Sequence, residues 1–402
     1  MAALAAVVLA FWGMPRLWGV FDDGMRGPYG QFPGPVAAQP PMHSAQRVAT
    51  SRFSPAVYRG LAIMRGDDGV RAVDIVTGRV YWRYTKDEVV PKGIDRSTGD
   101  VFLQTANDEL VKINIRSGKI FWTQKMPDLH PDWTVANYSV LPVADAATLA
   151  ITGDDGIAGI SSATGKILWS KKWPSTCPYD NFSTQAAVMA GTLAFTCNVY
   201  EAPDKALVGF DPATGATRWT LHASQLLARA SRPADRLTAW GSVGGRLAVA
   251  AGDTSDLIDP ATGRIVARWR WKDQDALTLV GGLQISECSP NGPAEVLCGY
   301  DLATGRKLWR IPIPDSGHLP GVGESLAVID GRVYAEVENY DAGGVFEFVV
   351  FDGRTGHVLN RFPHPDHSPS MDGITDGVII NRTEDGFDLY AERPDIRNTR
   401  RL

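Results

Sequence analysis

The phrase DLATGRKLW, ending at Trp309, belongs to a set of seven related copies between residues 74 and 360, and no other feature limits the fold so tightly. DIVTGRVYW ends at Trp82, NIRSGKIFW at Trp122, SSATGKILW at Trp169, DPATGATRW at Trp219 and DPATGRIVARW at Trp269, while the seventh copy, DGRTGHVLN, closes on Asn360 instead of Trp. The glycines of the seven phrases, Gly78, Gly118, Gly165, Gly215, Gly263, Gly305 and Gly356, are spaced by 40, 47, 50, 48, 42 and 51 residues. That period is the length of one propeller blade.

Each unit has the same internal grammar: an apolar run such as LAIM, an Asp-Gly turn such as GDDG, an alternating run such as VRAVDI, the Thr-Gly step, and a last alternating run such as RVYWRYT. Strict alternation marks half-buried strands, and short Gly-bearing connections mark antiparallel hairpins. The chain is therefore expected to be all-β. Asp, Asn or Ser at the strand end can accept from a backbone N–H two residues on, and Gly can take the positive φ of a tight turn. Five indoles lie four residues beyond their Gly and Trp269 lies six beyond, so all six share one parity and leave the same face of the last strand. Trp82, Trp122, Trp169, Trp219, Trp269 and Trp309 are expected to pack between neighbouring blades, each covering on the order of 150 to 250 Å².

The pattern of apolar strand, Asp-Gly, then L-x-A-x-D-x-x-T-G-x-x-x-W resembles the repeat of the pyrroloquinoline-quinone (PQQ) type β-propellers. That family includes quinoprotein alcohol dehydrogenases and the propeller lipoprotein of outer-membrane protein assembly. The resemblance covers roughly residues 50 to 395 and implies a propeller of four-stranded antiparallel blades; fold alone carries no activity. Beyond Asn360, MDGITDGVIINRTEDGFDLYAE supplies three strands of a further unit without its Thr-Gly-Trp strand. Residues near Ala45 to Arg52 can complete it, so that the two chain ends close the ring and leave no unpaired terminal edge. Eight blades are expected, with seven as the alternative.

The chain of 402 residues carries a net charge of -5, with neither a broad basic field nor a nucleic-acid recognition motif. Nucleic acid is not an expected partner. Residues 1 to 15, MAALAAVVLAFWGMP, hold no charge, and the apolar run resumes after Arg16 as LWGVF. Fifteen residues fall short of the roughly 20 that a spanning helix needs, and the basic start of a secretory peptide is missing. Either Arg16 snorkels and the span runs on to Phe21, or the true start lies upstream; a buried core helix is the alternative. The expected organisation is a membrane segment or uncleaved signal over residues 1–21, a flexible Gly/Pro-rich tether over 22–50, the propeller over 51–395 and a basic tail over 396–402. Arg393, Arg397, Arg400 and Arg401 at that end read as a solvated tail, with an anionic lipid or acidic partner as the functional alternative.

Four cysteines, Cys177, Cys197, Cys288 and Cys298, form no CxxC pair. Cys288 and Cys298 flank a Pro-Asn-Gly turn, across which their side chains can come within bridging distance, and Cys177 and Cys197 bracket the first part of another unit in the same manner. Two disulfides and an oxidising compartment are expected; four buried free thiols are the alternative.

No catalytic, cofactor or metal residue is expected. His364, Asp366 and His367 lie in a Pro-broken stretch with no third imidazole. GDDG at 153–156 and RGDDG at 65–69 lack the spaced carboxylates and closing Glu of a calcium loop, and ATGK at 163–166 lacks both the Gly spacing and the Ser or Thr of a phosphate loop. Quinoprotein enzymes of the resembling family use a calcium-bound quinone, an aspartate base and adjacent cysteines; this sequence has no adjacent cysteine pair and is shorter than those enzymes. The expectation is a membrane-attached, monomeric, non-enzymatic propeller on the extracytoplasmic side, or secreted, that binds an envelope protein or a small ligand through loops and funnel. A PQQ- and calcium-dependent dehydrogenase and the sensor module of a signalling system are the alternatives. No Leu-x-x-Cys lipidation signal follows the apolar run, which counts against the lipoprotein role.

Overall fold

The computed structural model describes residues 24–33, 46–51, 53–107, 109–126, 139–142, 147–153, 156–172, 186–189, 191–197, 206–226, 237–251, 254–270, 276–280, 282–288, 296–312, 317–318, 326–329, 331–339, 345–363, 371–383 and 385–391. Among these residues there are eight antiparallel sheets, and the only helix is the short turn Ala223–Leu226. The fold is all-β, as the alternation requires.

The second sheet shows the plan: Val90–Asp95, Asp100–Gln104, Glu109–Asn114 and Ile120–Lys125 pair in chain order. The third (Ser139–Pro142 to Ile167–Lys172), fourth (Ala186–Met189 to Thr217–His222), fifth (Leu237–Val243 to Ile265–Arg270) and sixth (Ala276–Val280 to Lys307–Pro312) repeat it. In the seventh, Gly317–His318 and Leu326–Ile329 both pair with Arg332–Asn339, followed by Val345–Asp352 and Val358–Pro363.

The eighth sheet draws on both ends of the chain. Met371–Thr375, Val378–Thr383 and Gly386–Ala391 come from the C-terminal side, and Gln46–Ser51 supplies the outermost strand, pairing antiparallel with Gly386–Ala391 from Gln46↔Ala391 to Ser51↔Phe387. Arg47 and Thr50 tie that join to the buried Asp388 at 3.1 and 2.7 Å. The repeat-built body thus begins at least by residue 46, earlier than the boundary at 51 read from the sequence.

The stretch assigned to a free tether also differs. Gly24–Arg26 adds a fifth strand to the first sheet, outside Val80–Thr85, and Tyr29 N–H donates to the Tyr81 carbonyl at 2.6 Å. Pro and Gly bar a central strand but not an edge strand, which needs only one side of its backbone paired. Residues 1–23 and 392–402, which carry the apolar start and the basic tail, lie outside the described residues. Among the described residues no helix is long and apolar enough to cross a membrane.

Successive sheets pack face to face through clusters of branched side chains. Ile63 and Trp82 of the first sheet meet Val101 and Leu103 of the second, and Phe102 and Trp122 of the second meet Leu149 and Ile151 of the third. Trp309 of the sixth meets Val333 and Phe351 of the seventh, and Tyr334 and Phe348 of the seventh meet Ile379 and Tyr390 of the eighth. The eighth returns to the first where Val378 and Leu389 pack on Ala62 and Met64. Each fully buried Leu, Ile or Phe contributes roughly 1.5 to 3 kcal/mol of transfer free energy, so each of these seams holds several such increments.

Candidate functional site

The repeated turn has one geometry throughout. The seven Thr-Gly or Ser-Gly glycines have φ between 66° and 73°, the left-handed region where a Cβ is penalised. In the turn at Asp301, Gly305 N–H donates to the Asp301 carbonyl at 2.7 Å, and Asp301 Oδ1 accepts from the N–H groups of Ala303 and Thr304, both at 2.8 Å. Hydrogen bonds hold these carboxyls below the usual carboxylate range: Arg218 chiefly does so for Asp211, Thr262 for Asp259 and Thr355 for Asp352. At Asp301 burial pulls upward most strongly, but Thr304, Ala303 and Arg306 together outweigh it. An eighth turn of this kind, Asp95–Gly99 in DRSTG, joins the first two strands of the second sheet; the seven-copy alignment misses it because it sits at a different point of the unit.

The indoles use these turns as sockets. Trp82, Trp122, Trp169, Trp219 and Trp309 donate Nε1–H to the backbone carbonyls of Ile115, Ser162, Pro212, Pro260 and Gly353, at 2.6 to 3.0 Å, each acceptor lying in the turn of the following sheet. Three of the rings, those of Trp169, Trp219 and Trp309, lie against glycine on both sides. A Cβ at Gly159, Gly209 or Gly299, directly across the strand pair from Trp169, Trp219 or Trp309, would collide with the indole, and so would one at Gly215, Gly263 or Gly356 of the next turn. Sequence reading missed Gly159, Gly209 and Gly299, although AGISSATG, VGFDPATG and CGYDLATG share that glycine.

Trp269 reaches its socket by another path. A one-residue bulge precedes the indole position in the last strand of each of the seven phrases, and in the fifth sheet Ala267 occupies that position, opposite Leu257. Trp269 stands two residues further on, on the same face, and its ring still covers Gly305 of the sixth sheet.

Near the starts of the sheets a different contact stitches three units together. Arg96, in the Asp95–Gly99 turn of the second sheet, pairs with Asp376 of the eighth at 2.6 Å, bonds Thr375, and donates to the Val57 carbonyl of the first at 3.1 Å. On the innermost strand of the second sheet, burial lowers the Lys92 amine to about 8. A cleft of about 480 Å³ lies between the fifth, sixth and seventh sheets, lined by Leu283, Leu308, Val328, Asp301 and Arg354 among others. Its one carboxylate is the Asp301 group already committed to its own turn.

Cys288 and Cys298 form a disulfide across the hairpin of the sixth sheet. Cys197 ends the strand Thr192–Cys197, whereas Cys177 lies outside the described residues, as do His364, Asp366 and His367. RGDDG at 65–69 is a hairpin turn between Leu61–Gly66 and Gly69–Asp74, with Asp68 paired to Arg83 at 3.0 Å. Among the described residues no three His, Cys, Asp or Glu side chains group as metal ligands. The Cys288–Cys298 bridge joins two strands rather than neighbouring residues.

A family model described as outer membrane protein assembly factor BamB matches residues 66–226 and 203–363. Comparison with curated proteins finds no match. Among solved structures the chain is similar to BamB from Moraxella catarrhalis, with 16% identity over 88% of this chain and 99% of that one and a TM-score of 0.54. It is similar to the computationally designed Ika8 protein, with 13% identity over 89% and 100% and a TM-score of 0.52. It is also similar to the quinohemoprotein alcohol dehydrogenase of Comamonas testosteroni, with 11% identity over 92% and 80% and a TM-score of 0.51. At such identities the likeness is one of fold.

Proposed function

Because the chain belongs to the family of the outer membrane protein assembly factor BamB, we propose that it is a non-enzymatic propeller of eight blades that acts as a protein-binding scaffold at the cell envelope. The observation that carries this reading is where the polar side chains are committed. Turn carboxylates hold their own loops, the indole N–H groups hold the next sheet, and Arg96 holds the eighth sheet to the second. A general base or nucleophile needs a side chain within reach of substrate, and the cleft between the fifth and seventh sheets offers only a carboxylate already engaged by Ala303 and Thr304. Rigid sheets carrying variable loops suit recognition. The apolar residues 1–21 attach the body to a membrane and place it on the extracytoplasmic side, where the Cys288–Cys298 disulfide persists.

Cross-linking in native membranes followed by purification of the chain tests the proposal: an envelope complex should be recovered with it, and repeated recovery of the chain alone would count against a scaffold. The fold likeness to the quinohemoprotein dehydrogenase makes one enzymatic assay worthwhile. With PQQ and calcium added, dye reduction by alcohols or sugars should stay at background; turnover above it would replace the scaffold reading.

A further inference from the structure

Five lysines flank the outer strands of two successive sheets in a chain whose net charge is -5. Lys119 and Lys125 bracket the outermost strand of the second sheet, Ile120–Lys125, and Lys166, Lys171 and Lys172 bracket that of the third, Ile167–Lys172; all five are exposed. Both strands stand at the end of their sheet's order among the described residues, so one side of each backbone faces outward. Lysine on an edge can serve merely to keep it from pairing with copies of itself. Such protection does not call for large apolar groups, yet Phe121 is 46% exposed and Ile120 37%. Lys112 and Lys119 lie over the Phe121 ring at 5.4 and 5.6 Å.

The first sheet shows what an occupied rim looks like. Tyr81 holds the place there that Phe121 holds in the second sheet, the bulged residue just before the indole, but it is only 5% exposed. Gly24–Arg26 has added a strand to Arg83–Thr85, and Tyr29 N–H bonds the Tyr81 carbonyl. Phe32 meets the Tyr81 ring edge-on at 5.6 Å, and Arg116 caps Phe32 at 4.5 Å. An extended segment with one aromatic residue thus seals an outer edge of this molecule, and among the described residues the second sheet presents the same edge, with a ring and cations, and no strand paired to it.

We propose that the edge Ile120–Lys125 binds an extended acidic segment of a partner protein by strand addition, an apolar residue of that segment covering Phe121 and its carboxylates meeting Lys119 and Lys125. Backbone pairing supplies affinity in this mode and side-chain pockets supply selection. Charge of opposite sign speeds encounter and makes the complex sensitive to salt. The inference rests on the scaffold reading in one respect only, the expectation of a protein partner.

The test titrates the full chain with a ten-residue peptide of alternating Glu and Val carrying a central Phe. The controls are the same composition interrupted by two prolines, a Lys-for-Glu version, and vesicles containing phosphatidylglycerol. The acidic peptide should bind more weakly as salt rises and should protect the amides of residues 120–125 from hydrogen exchange. The double variant K119E/K125E, with an unchanged melting temperature, should weaken binding about five- to tenfold. F121T provides a second variant should the charge reversal disturb folding, and it should weaken binding by about fivefold or more. Equal binding of the proline peptide, absence of amide protection, or indifference to both variants would overturn the proposal, as would capture of vesicles without capture of the peptide. If cross-linking recovers an envelope partner while the peptide fails, the edge assignment falls and the scaffold reading stands.

Discussion

Six of the eight seams carry an indole seated on a glycine turn, and two do not; the two are the seams that flank the eighth sheet. At the seam between the third and fourth sheets, Trp169 lies between Gly159 and Gly215 and bonds the Pro212 carbonyl at 2.9 Å. At the seam between the seventh and eighth, Asn360 stands in the indole position opposite Val350. Its Nδ2 and both amide atoms of Asn381 are buried without a hydrogen-bond partner. The socket explains the difference. An indole docks on the turn that joins the third and outermost strands of the next sheet, and in the eighth sheet no such turn exists, since those strands are Gly386–Ala391 and Gln46–Ser51. By the same logic Gln46–Ser51 brings no indole to the first sheet, and a Cβ at Gly78 would meet nothing within 4 Å. The seam between the seventh and eighth rests instead on Tyr334 and Phe348 packed with Ile379 and Tyr390, that between the eighth and first on Val378 and Leu389 packed with Ala62 and Met64, and the Arg96–Asp376 pair ties the eighth sheet to the second.

The sharpest way to break this comparison is to delete residues 372–402, which removes two strands of the eighth sheet and most of a third. Cooperative unfolding should be lost, read by calorimetry; an unchanged melting curve would refute closure through both chain ends. Next in size, W309A should cost about 3 to 5 kcal/mol in denaturant unfolding, the range for a buried aromatic cut to Ala, since Trp309 is buried, while N360A should cost little because its Nδ2 has no partner to lose. An N360W variant should give no gain, since no turn awaits the ring. The paired glycines come third: G78A should cost only the penalty of a left-handed φ, about 1 kcal/mol, and G215A distinctly more, because its Cβ meets the Trp169 ring. Equal losses would mean that the turns are sockets in name only.

The smallest effect concerns pH. Burial lowers the Lys92 amine to about 8, below its unfolded value near 10.4. Between these values the unfolded chain binds more protons than the folded one, so stability should rise with pH from about 8 toward 10. K92M should flatten that rise, measured as melting temperature against pH. The turn carboxylates act in the acid range with the same sign: their folded values are depressed, so the stability they add is present above about pH 4 and lost as pH falls through the folded values.

The indole parity, the glycine turns and the closing strand near residue 46 were legible in the sequence because each depends on neighbours within one unit or on the bare need to leave no edge open. The bulge before each indole position was not, since an extra residue leaves no mark on an alternating pattern that already varies in length. Nor was Arg96, whose partners Asp376 and Val57 lie 280 and 39 residues away. The docking of residues 24–33 was hidden for a related reason: Gly and Pro announce what a segment cannot be, not the edge on which it settles. Trp269 was legible in its face and in its place six residues beyond Gly263, but not in how its ring still reaches Gly305 of the next sheet.

The pairing of Gln46–Ser51 with Gly386–Ala391 has a consequence for synthesis. The strand that completes the eighth sheet leaves the ribosome among the first, and its partner emerges some 340 residues later. At elongation rates of about 5 to 20 residues per second, the early strand waits on the order of tens of seconds while seven sheets assemble beside it. During that interval its backbone must be kept from foreign edges. Gly24–Arg26, by settling on the first sheet as soon as that sheet exists, holds the waiting strand close to the place where the ring will shut.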